Sequence, residues 1–290
     1  MGSIVILTDA TAQFTLPTFN GRNLVKILPF DIEWGGTVYE AGRNLKPNEM
    51  PLALNETTRP RLLPPSVEQI RQFLSRDENG RPYDEIMAIF LSSSMSPLFA
   101  QAVETQKQLS GRTRLQIVDS QTTSVGLGML VQSAADAVAK GASLADTERL
   151  IRSLIPHIYA VLCTPSLAYL HYAGFLDQAQ AAVGEMLGLF SLFSLEEGKL
   201  TPLEKVRNHR QMLDFFQEFL EEFEHLQHIG FLQSVVGGNP QDGRILRDHA
   251  QDCLPHTPFS EHSINLPTAV LFGPNTMGLF VLEPNHRKSA

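Results

Sequence analysis

The chain has 290 residues, of which 43% are hydrophobic and 19% are charged, a composition typical of a soluble globular protein large enough for two domains. Its formal net charge of −8 argues against a nucleic-acid-binding surface or an anionic-membrane surface, because both would favour a basic face. Two cysteines are too few for a disulfide framework at this length, and no apolar run approaches a membrane span, so we expect a cytoplasmic protein.

Predicted β-structure begins with the first residues of the chain. Residues 3–7 are rich in β-branched side chains and predict a buried strand, with Asp9 at its carboxyl end. Residues 24–32 predict a second strand interrupted by Pro29, and residues 35–39 turn it into a hairpin. Asp9 is open to two interpretations: a carboxylate that caps a turn, or one that organises a loop or binds at a ligand site.

The serine loop, residues 92–96, follows the most apolar predicted strand, residues 86–91. Ser96 has the side chain of a helix N-cap, and Pro97 suits the first helical position because it lacks the N–H that would be unpaired there. In open α/β sheets ligands bind beyond the carboxyl ends of the strands, so the loop is a candidate site for an anion or a carboxylate. The alternative is a plain helix cap, since serine-rich caps occur on many helices that bind nothing.

The rest of the first half alternates helices with strands, which is the pattern of parallel βα units. Residues 44–65 are rich in Pro, Asn and Thr and predict a long loop, which a helix capped by Ser66 follows. The next predicted elements are a strand at residues 112–119, helices at 122–140 and 143–157, and a strand at 158–162. We place a domain boundary near residue 160, which gives domains at residues 1–160 and 161–290.

The second half changes pattern and predicts a mixed α/β domain. The predicted elements are short helices at residues 166–173 and 178–187, a hairpin at 189–200, an amphipathic helix at 202–223, a strand at 229–236, a helix at 242–253, and strands at 263–271 and 279–282. The apolar stripe of the helix at 202–223 is interpreted as core.

Several motifs that carry chemistry are absent from the sequence. Gly126 and Gly128 lack the further glycine of a dinucleotide fingerprint and lie at the start of a predicted helix. His225 and His228 have no Cys or acidic partner at zinc-ligand spacing. Neither a nucleophile elbow nor a phosphate-binding loop is present. We therefore predict no catalytic residues, no metal and no cofactor.

Five short motifs nevertheless occur in the order and at the spacing of one known family. They are Thr8-Asp-Ala-Thr-Ala12, Leu91-Ser-Ser-Ser-Met-Ser96, Val118-Asp-Ser-Gln-Thr-Thr-Ser124 with Gly126 and Gly128, Gly198-Lys-Leu-Thr-Pro202 with Lys205 and Arg207, and Gly273-Pro274. Over nearly its whole length the chain resembles the DegV family of fatty-acid-binding proteins. The resemblance implies a two-domain α/β fold, with an N-terminal parallel-sheet, Rossmann-like domain and a C-terminal mixed α/β domain.

The resemblance also implies a ligand and a partner. The ligand is a long-chain fatty acid in an apolar tunnel, with its carboxylate held at the interdomain cleft by the serine loop. The partner is a separate kinase that phosphorylates the carboxylate in bacteria. Phe175 stands where the family commonly has an arginine, on a segment that the resemblance suggests faces the partner. We therefore expect that such a kinase uses this protein weakly or not at all.

The chain departs from the family at several polar positions. Before the helix capped by Ser66, the family usually has a Thr-Ser pair and then a Pro-Ser, whereas this chain has Arg61 to Pro65. Before the last Gly-Pro the family usually has a His, whereas this chain has Val270-Leu271-Phe272. Pro97-Leu98 replaces a common Gly-Thr, and Phe190-Ser191 replaces a Lys-Pro. Arg61 falls on or beside the lost Thr, and its guanidinium can replace two neutral donors with one bidentate contact to a carboxylate. The alternative is an arginine that lies in solvent.

Our leading hypothesis is a non-enzymatic lipid-binding protein whose only bound group is the fatty acid, with ligand-binding residues Ser92, Ser93, Ser96, Arg61 and Asp9. The first alternative is a divergent relative that acts only through protein contacts, because its own side chains fill the pocket. Apolar residues at polar family positions favour it, namely Leu62, Leu98, Leu271 and Phe272. The second alternative is an enzyme acting on small acyl or phosphorylated substrates, with Asp9 and Asp119 as its acids.

Overall fold

The computed structural model describes residues 4–76, 79–108 and 113–284. The strands are β1 (Ile4–Asp9), β2 (Val25–Leu28), β3 (Asp31–Trp34), β4 (Thr37–Tyr39), β5 (Arg61–Leu63), β6 (Glu85–Phe90), β7 (Arg114–Asp119), β8 (Ile158–Thr164), β9 (Phe190–Glu196), β10 (Lys199–Val206), β11 (His228–Gln233), β12 (Phe259–Ser263) and β13 (Met277–Leu282). The α-helices are α1 (Val67–Phe73), α2 (Leu98–Gln108), α3 (Ser124–Ala139), α4 (Leu144–Leu154), α5 (Leu167–Tyr172), α6 (Gln178–Met186), α7 (His209–Glu221), α8 (Asp242–Cys253) and α9 (Leu266–Phe272).

The strands form three sheets. The first sheet has four strands in the order β2-β1-β6-β7, and each pair of neighbouring strands is parallel. The second has six strands in the order β10-β9-β8-β13-β11-β12, antiparallel except for the β11–β12 pair. The third is a small antiparallel sheet, β4-β3-β5. A parallel sheet in the N-terminal half and a mixed sheet in the C-terminal half confirm the predicted fold class. The boundary near residue 160 stays a prediction, and β8, which begins at Ile158, already belongs to the second sheet.

Helix α3 contacts strands of both large sheets, and two glycines allow it to pack closely. A Cβ atom on Gly126 would lie 3.2 Å from the ring of Phe280 in β13. A Cβ atom on Gly128 would lie 1.9 Å from the carbonyl oxygen of Gln13, which no side chain could tolerate. These glycines serve close packing, which explains their presence without a dinucleotide site. Within the described ranges, no helix has the length and apolarity needed to cross a membrane.

The predicted strand at residues 24–32 is two strands in different sheets. β2 ends at Leu28 in the first sheet, and β3 begins at Asp31 in the third. Pro29 lies between them, where its missing N–H removes a ladder hydrogen bond. The predicted hairpin is confirmed, with Trp34 opposite Thr37 in the β3–β4 pair.

The predicted helix at residues 202–223 is wrong at its start. The chain remains in β10 as far as Val206, and α7 begins only at His209. The side chain of Asn208 accepts the backbone N–H of Gln211 at 3.0 Å, which marks the true N-terminus of the helix. β10 is an edge strand, and an edge tolerates Pro202 because one side of the strand needs no ladder donor.

The predicted strand at residues 263–271 is also wrong. β12 ends at Ser263, and the following apolar run forms helix α9. Asn265 caps this helix by accepting the backbone N–H of Thr268 at 3.0 Å, and Pro267 occupies its first turn. A short apolar run buried on several sides has no periodicity that separates a strand from a helix.

One hydroxyl joins two histidines at the β11–β12 edge of the second sheet. Ser260 Oγ lies 2.8 Å from Nε2 of His228 and 2.8 Å from Nε2 of His262. A hydroxyl has one proton, so it donates to one imidazole and accepts from the other. Burial, with a smaller effect of the neighbouring His262, lowers the pKa of His228 to about 4, and burial also lowers the pKa of His262. Both imidazoles are therefore neutral at pH 7.

We predict that the free energy of unfolding falls as the pH drops from about 6.5 towards 4, because the unfolded chain then binds protons that the folded histidines do not bind. His228→Gln keeps a hydrogen-bonding side chain but does not titrate, so it should flatten this dependence. His256→Gln, at an exposed histidine, is the matched control. Urea unfolding at pH 7 and at pH 5 measures the effect, and the same pH dependence in His228→Gln as in the wild type would contradict it.

Candidate ligand-binding site

The carboxyl ends of three parallel strands meet at one edge of the first sheet. β1 ends at Asp9, the serine loop follows β6, and β7 ends at Asp119. Phe90, the last residue of β6, pairs with Asp119, so the serine loop and this carboxylate leave the sheet side by side. This is the edge at which open α/β sheets bind their ligands.

Asp9 is fully buried beneath the serine loop. Its Oδ1 accepts the backbone N–H of Thr11 at 2.9 Å and the hydroxyl of Thr11 at 2.6 Å, and its Oδ2 accepts the backbone N–H of Leu91 at 2.7 Å. Burial raises the pKa of the Asp9 carboxyl, while these hydrogen bonds act in the opposite direction. Both oxygens are engaged with the chain itself, so this carboxylate sets the shape of the loop.

Ser92 connects the serine loop to the second sheet. Its hydroxyl is buried and donates to the carbonyl oxygen of Gly198, in the β9–β10 turn, at 2.7 Å. The same oxygen accepts the backbone N–H of Ser94 at 3.1 Å. A Cβ atom on Gly198 would lie 2.3 Å from Ser92 Oγ, so this contact requires a glycine, and the φ of +81° at Gly198 favours one as well.

Asp119 connects the serine loop to the segment before α3. Its Oδ1 accepts the backbone N–H of Ser93 at 3.1 Å and that of Gln121 at 3.0 Å. Gln121 and Ser124 have left-handed φ angles of 52° and 51°, which cost energy for residues with a side chain. Ser93 itself is exposed on the loop.

A cavity of about 210 Å³ lies beside the serine loop. Its walls come from β5, the end of the serine loop, α5 and α9. Leu62, Met95 and Val270 supply apolar surface, and Arg61 and Ser96 supply polar groups. Ser96 Oγ accepts the backbone N–H of Leu98 at 3.2 Å, and a hydroxyl that accepts one bond keeps its own proton to donate.

The guanidinium of Arg61 pairs with a carboxylate across the third sheet. Arg61 stands opposite Glu33 in the β3–β5 pair, and its Nε donates to Glu33 Oε2 at 3.1 Å. The two side chains are 53% and 30% exposed. Ion pairs this exposed contribute only about 0–1 kcal/mol, so Arg61 can turn to another carboxylate at little cost.

The structure brings two of the five predicted site residues, Arg61 and Ser96, to the cavity. Ser92 and Ser93 belong to the same loop but are not among the lining residues, and Asp9 lies beneath the loop. Ligand contacts of all five stay predictions. Sequence reasoning missed the wall formed by Tyr169 and Tyr172 of α5, because tyrosines in a short helix are equally typical of core.

Tyr169 is a buried part of that wall. Its hydroxyl donates to the carbonyl oxygen of Pro51 at 2.7 Å, and burial raises the pKa of the phenol. Tyr172 also lines the cavity, and the guanidinium of Arg59 lies 4.9 Å from its ring centre. In the part of the chain that the structure describes, no group of three or more His, Cys, Asp or Glu side chains could hold a metal ion.

Comparison with known proteins identifies what the chain is similar to. A model of the DegV family, described as an uncharacterised protein family, matches residues 3–284. A DegV domain-containing protein of Caldanaerobacter subterraneus is 25% identical over 237 residues, which cover 82% of each chain. A DegV family protein from Thermus thermophilus, described by its fatty acid binding, superposes with a TM-score of 0.80 at 23% identity, covering 97% of this chain and all of that one.

A second solved structure has a similar fold. The fatty acid kinase (Fak) B3 protein of Streptococcus pneumoniae, loaded with linoleic acid, superposes with a TM-score of 0.82 at 15% identity. The alignment covers 97% of this chain and 100% of that one. At these identities the two structural likenesses establish the fold.

We predict that Asp9→Ala destabilises the protein by at least about 2 kcal/mol, because it leaves the buried N–H groups of Leu91 and Thr11 without an acceptor. Asp119→Ala is the control, since water can replace an acceptor on a partly exposed loop, and it should cost less than about 1 kcal/mol. Urea unfolding of both variants measures the difference, and a loss below about 1 kcal/mol in Asp9→Ala would show that Asp9 does not organise the loop.

Proposed function

The chain belongs to the DegV family, and we propose on this premise that it is a non-enzymatic protein that binds a long-chain fatty acid, with the carboxylate at the cavity beside the serine loop. One observation carries the proposal: a guanidinium and a helix-capping hydroxyl, from Arg61 and Ser96, line an apolar cavity at the carboxyl edge of the parallel sheet. The structural neighbours from Thermus thermophilus and Streptococcus pneumoniae, which are described by fatty acids, support this ligand class.

The chemistry of the cavity fits a carboxylate with an apolar tail. An ionised carboxylate without partners costs several kcal/mol to bury, and a charge-assisted pair with Arg61 offsets that cost. The loop donates a further hydrogen bond through the Ser96 hydroxyl. Burial of the acyl chain against Leu62, Met95 and Val270 then contributes about 0.8 kcal/mol for each CH₂ group.

The hydrogen bonding of the two acids at the sheet edge supports a binding protein over an enzyme. Both oxygens of Asp9 accept hydrogen bonds from Thr11 and Leu91, and Asp119 accepts two backbone N–H groups of the loops. The buried Asp9, held through both oxygens, is a structural acceptor, and this removes one of the two acids that the enzyme hypothesis needs.

A second candidate, a protein with a filled pocket that acts through protein contacts, is favoured by the size of the cavity. At about 210 Å³ it is smaller than the roughly 300–1,000 Å³ of typical ligand pockets. Leu98, Leu271 and Phe272 are buried nearby, at positions where the resemblance implies polar residues. The two candidates differ in whether the purified protein carries a bound fatty acid.

We expect weak or no use of the protein by a fatty-acid kinase. The ring of Phe175, at the position of the arginine that the resemblance implies, stacks on Phe272 with centroids 5.8 Å apart. A ring in this place offers a partner no charge.

Extraction of the purified protein with organic solvent, followed by mass spectrometry, tests the proposal. The expected result is near-stoichiometric release of a long-chain fatty acid from protein made in cells that contain such acids. An extract free of fatty acid would favour the filled-pocket candidate.

We predict that Arg61→Leu weakens fatty acid binding by about 1.5–3 kcal/mol, roughly ten- to a hundredfold in Kd, because it removes one charge-assisted contact. Glu33→Gln, which frees the guanidinium, should bind at least as tightly as the wild type. Arg149→Leu, at an exposed position of α4, is the matched control for loss of a positive charge. Titration of the delipidated proteins with palmitate measures these values, and unchanged affinity in Arg61→Leu would refute its role.

A further inference from the structure

Helix α9 forms one wall of the cavity beside the serine loop, through Val270 and Leu271. The C-terminal end of this helix is fixed within its own half of the chain. There the carbonyl oxygen of Phe272 accepts the hydroxyl of Thr164, in β8, at 3.2 Å and the hydroxyl of Thr276 at 2.6 Å. Two other walls, β5 and the serine loop, belong to the N-terminal half, so the position of α9 relative to that half affects the shape of the cavity.

At the N-terminal end of α9, the side chain of Asn265 makes contacts in two directions. Its Oδ1 caps the helix by accepting the backbone N–H of Thr268 at 3.0 Å. Its Nδ2 donates to the carbonyl oxygens of Ala10 and Thr11, each at 3.1 Å. Because an amide side chain carries an acceptor and two donors, one residue both starts the helix and joins it to the segment after β1.

Gln13, in the segment after β1, adds a second amide to this junction. Its Nε2 donates to the carbonyl oxygen of Ser263, at the end of β12, at 2.7 Å. Its Oε1 accepts the hydroxyl of Ser124, in α3, at 3.0 Å and the backbone N–H of Asn265 at 3.4 Å. Gln13 and Asn265 are 252 positions apart along the chain, so these bonds join its two halves.

The segment that Asn265 contacts is itself held by the buried carboxylate of Asp9. Thr11, whose carbonyl oxygen accepts from Asn265, donates its backbone N–H and its hydroxyl to Asp9 Oδ1. The other oxygen of that carboxylate accepts the N–H of Leu91, where the serine loop begins. One buried group is therefore connected to two walls of the cavity: to the serine loop through Leu91, and to α9 through Thr11 and Asn265.

We propose, on the premise of the proposed function, that Asn265 is a positioning residue of the ligand site. Its side-chain amide holds the α9 wall at the distance from the serine loop that binding of the acid requires. Asn265 is not among the residues that line the cavity, so it acts through Val270 and Leu271. Without its Nδ2 donor, the N-terminal end of α9 loses its bonds to Ala10 and Thr11 and is displaced from the segment after β1.

Two substitutions separate the capping role of Asn265 from its contact with the segment after β1. Asn265→Ser and Asn265→Asp both keep an oxygen that caps α9, but the serine side chain is shorter and the ionised aspartate has no donor. The affinity of the delipidated full-length protein for palmitate should fall at least about fivefold in each variant, the equivalent of one ordinary hydrogen bond.

Asn208 offers a matched control at the N-terminus of α7. Its side chain caps that helix in the same way, by accepting the backbone N–H of Gln211 at 3.0 Å, and α7 does not line the cavity. Asn208→Ser and Asn208→Asp should therefore bind palmitate as the wild type does. Urea unfolding verifies that the variants at the two caps are similarly stable.

The fluorescence of Trp34 reports the position of α9 without any ligand. Trp34 is the only tryptophan of the chain, and it packs in one apolar cluster with Leu266 and Val270 of α9. Displacement of α9 exposes the indole to water, so the emission of Asn265→Ser should move to longer wavelength. The emission of Asn208→Ser should match that of the wild type, because loss of a helix cap elsewhere does not move α9.

The outcomes separate this inference from the proposed function. If the wild type binds palmitate and both Asn265 variants bind it equally well, or if the Asn208 variants lose as much affinity, Asn265 does not position the site and the proposed function stands. An unchanged Trp34 spectrum in Asn265→Ser refutes the positioning of α9 whether or not the wild type binds. If the wild type binds no palmitate, the proposed function is refuted, and a shift of the Trp34 emission would still support the positioning of α9 by Asn265.

Discussion

The buried carboxylate of Asp9 is the contact on which the candidate site depends. It joins the end of β1 to the end of β6 through three hydrogen bonds, from Thr11 and Leu91. A carboxylate without solvent is stable only when such donors surround it, and the same donors would be left unpaired without it. The serine loop begins immediately after Leu91, so its geometry follows from this interaction.

From the serine loop, contacts extend to the second sheet. The Ser92 hydroxyl donates to Gly198 in the β9–β10 turn, and helix α3 packs closely on β13 at Gly126 and on the segment after β1 at Gly128. The first cavity has walls from both halves of the chain, since β5 and the serine loop face α5 and α9. Movement of one half relative to the other would therefore change the shape of the cavity.

The proposed ligand and the filled-pocket alternative depend on the same side chains. Leu271 and Phe272 are buried at positions where the resemblance implies polar groups, and Leu271 lines the cavity beside the serine loop. Arg61 is bound to Glu33 by an exposed ion pair, which is weak enough to yield to a ligand carboxylate. Under the proposed function, the balance between a charge-assisted contact and the displacement of apolar side chains decides whether a fatty acid enters.

Local sequence determined much of the fold, because short-range chemistry is strong in these segments. The buried run of β6, the capping box of Ser66 and Gln69, the helix Asp242–Cys253 and the order of the five motifs were all readable from the chain itself. Helix α9 also has local signals, the Asn265 cap and Pro267 in its first turn. Tertiary structure alone placed β2 and β3 in different sheets, since an apolar run has no local signal for the neighbours that bury it. It also brought Arg61 and Ser96 to one cavity and stacked Phe175 on Phe272, because contacts between residues so far apart along the chain arise only from the packing of whole elements.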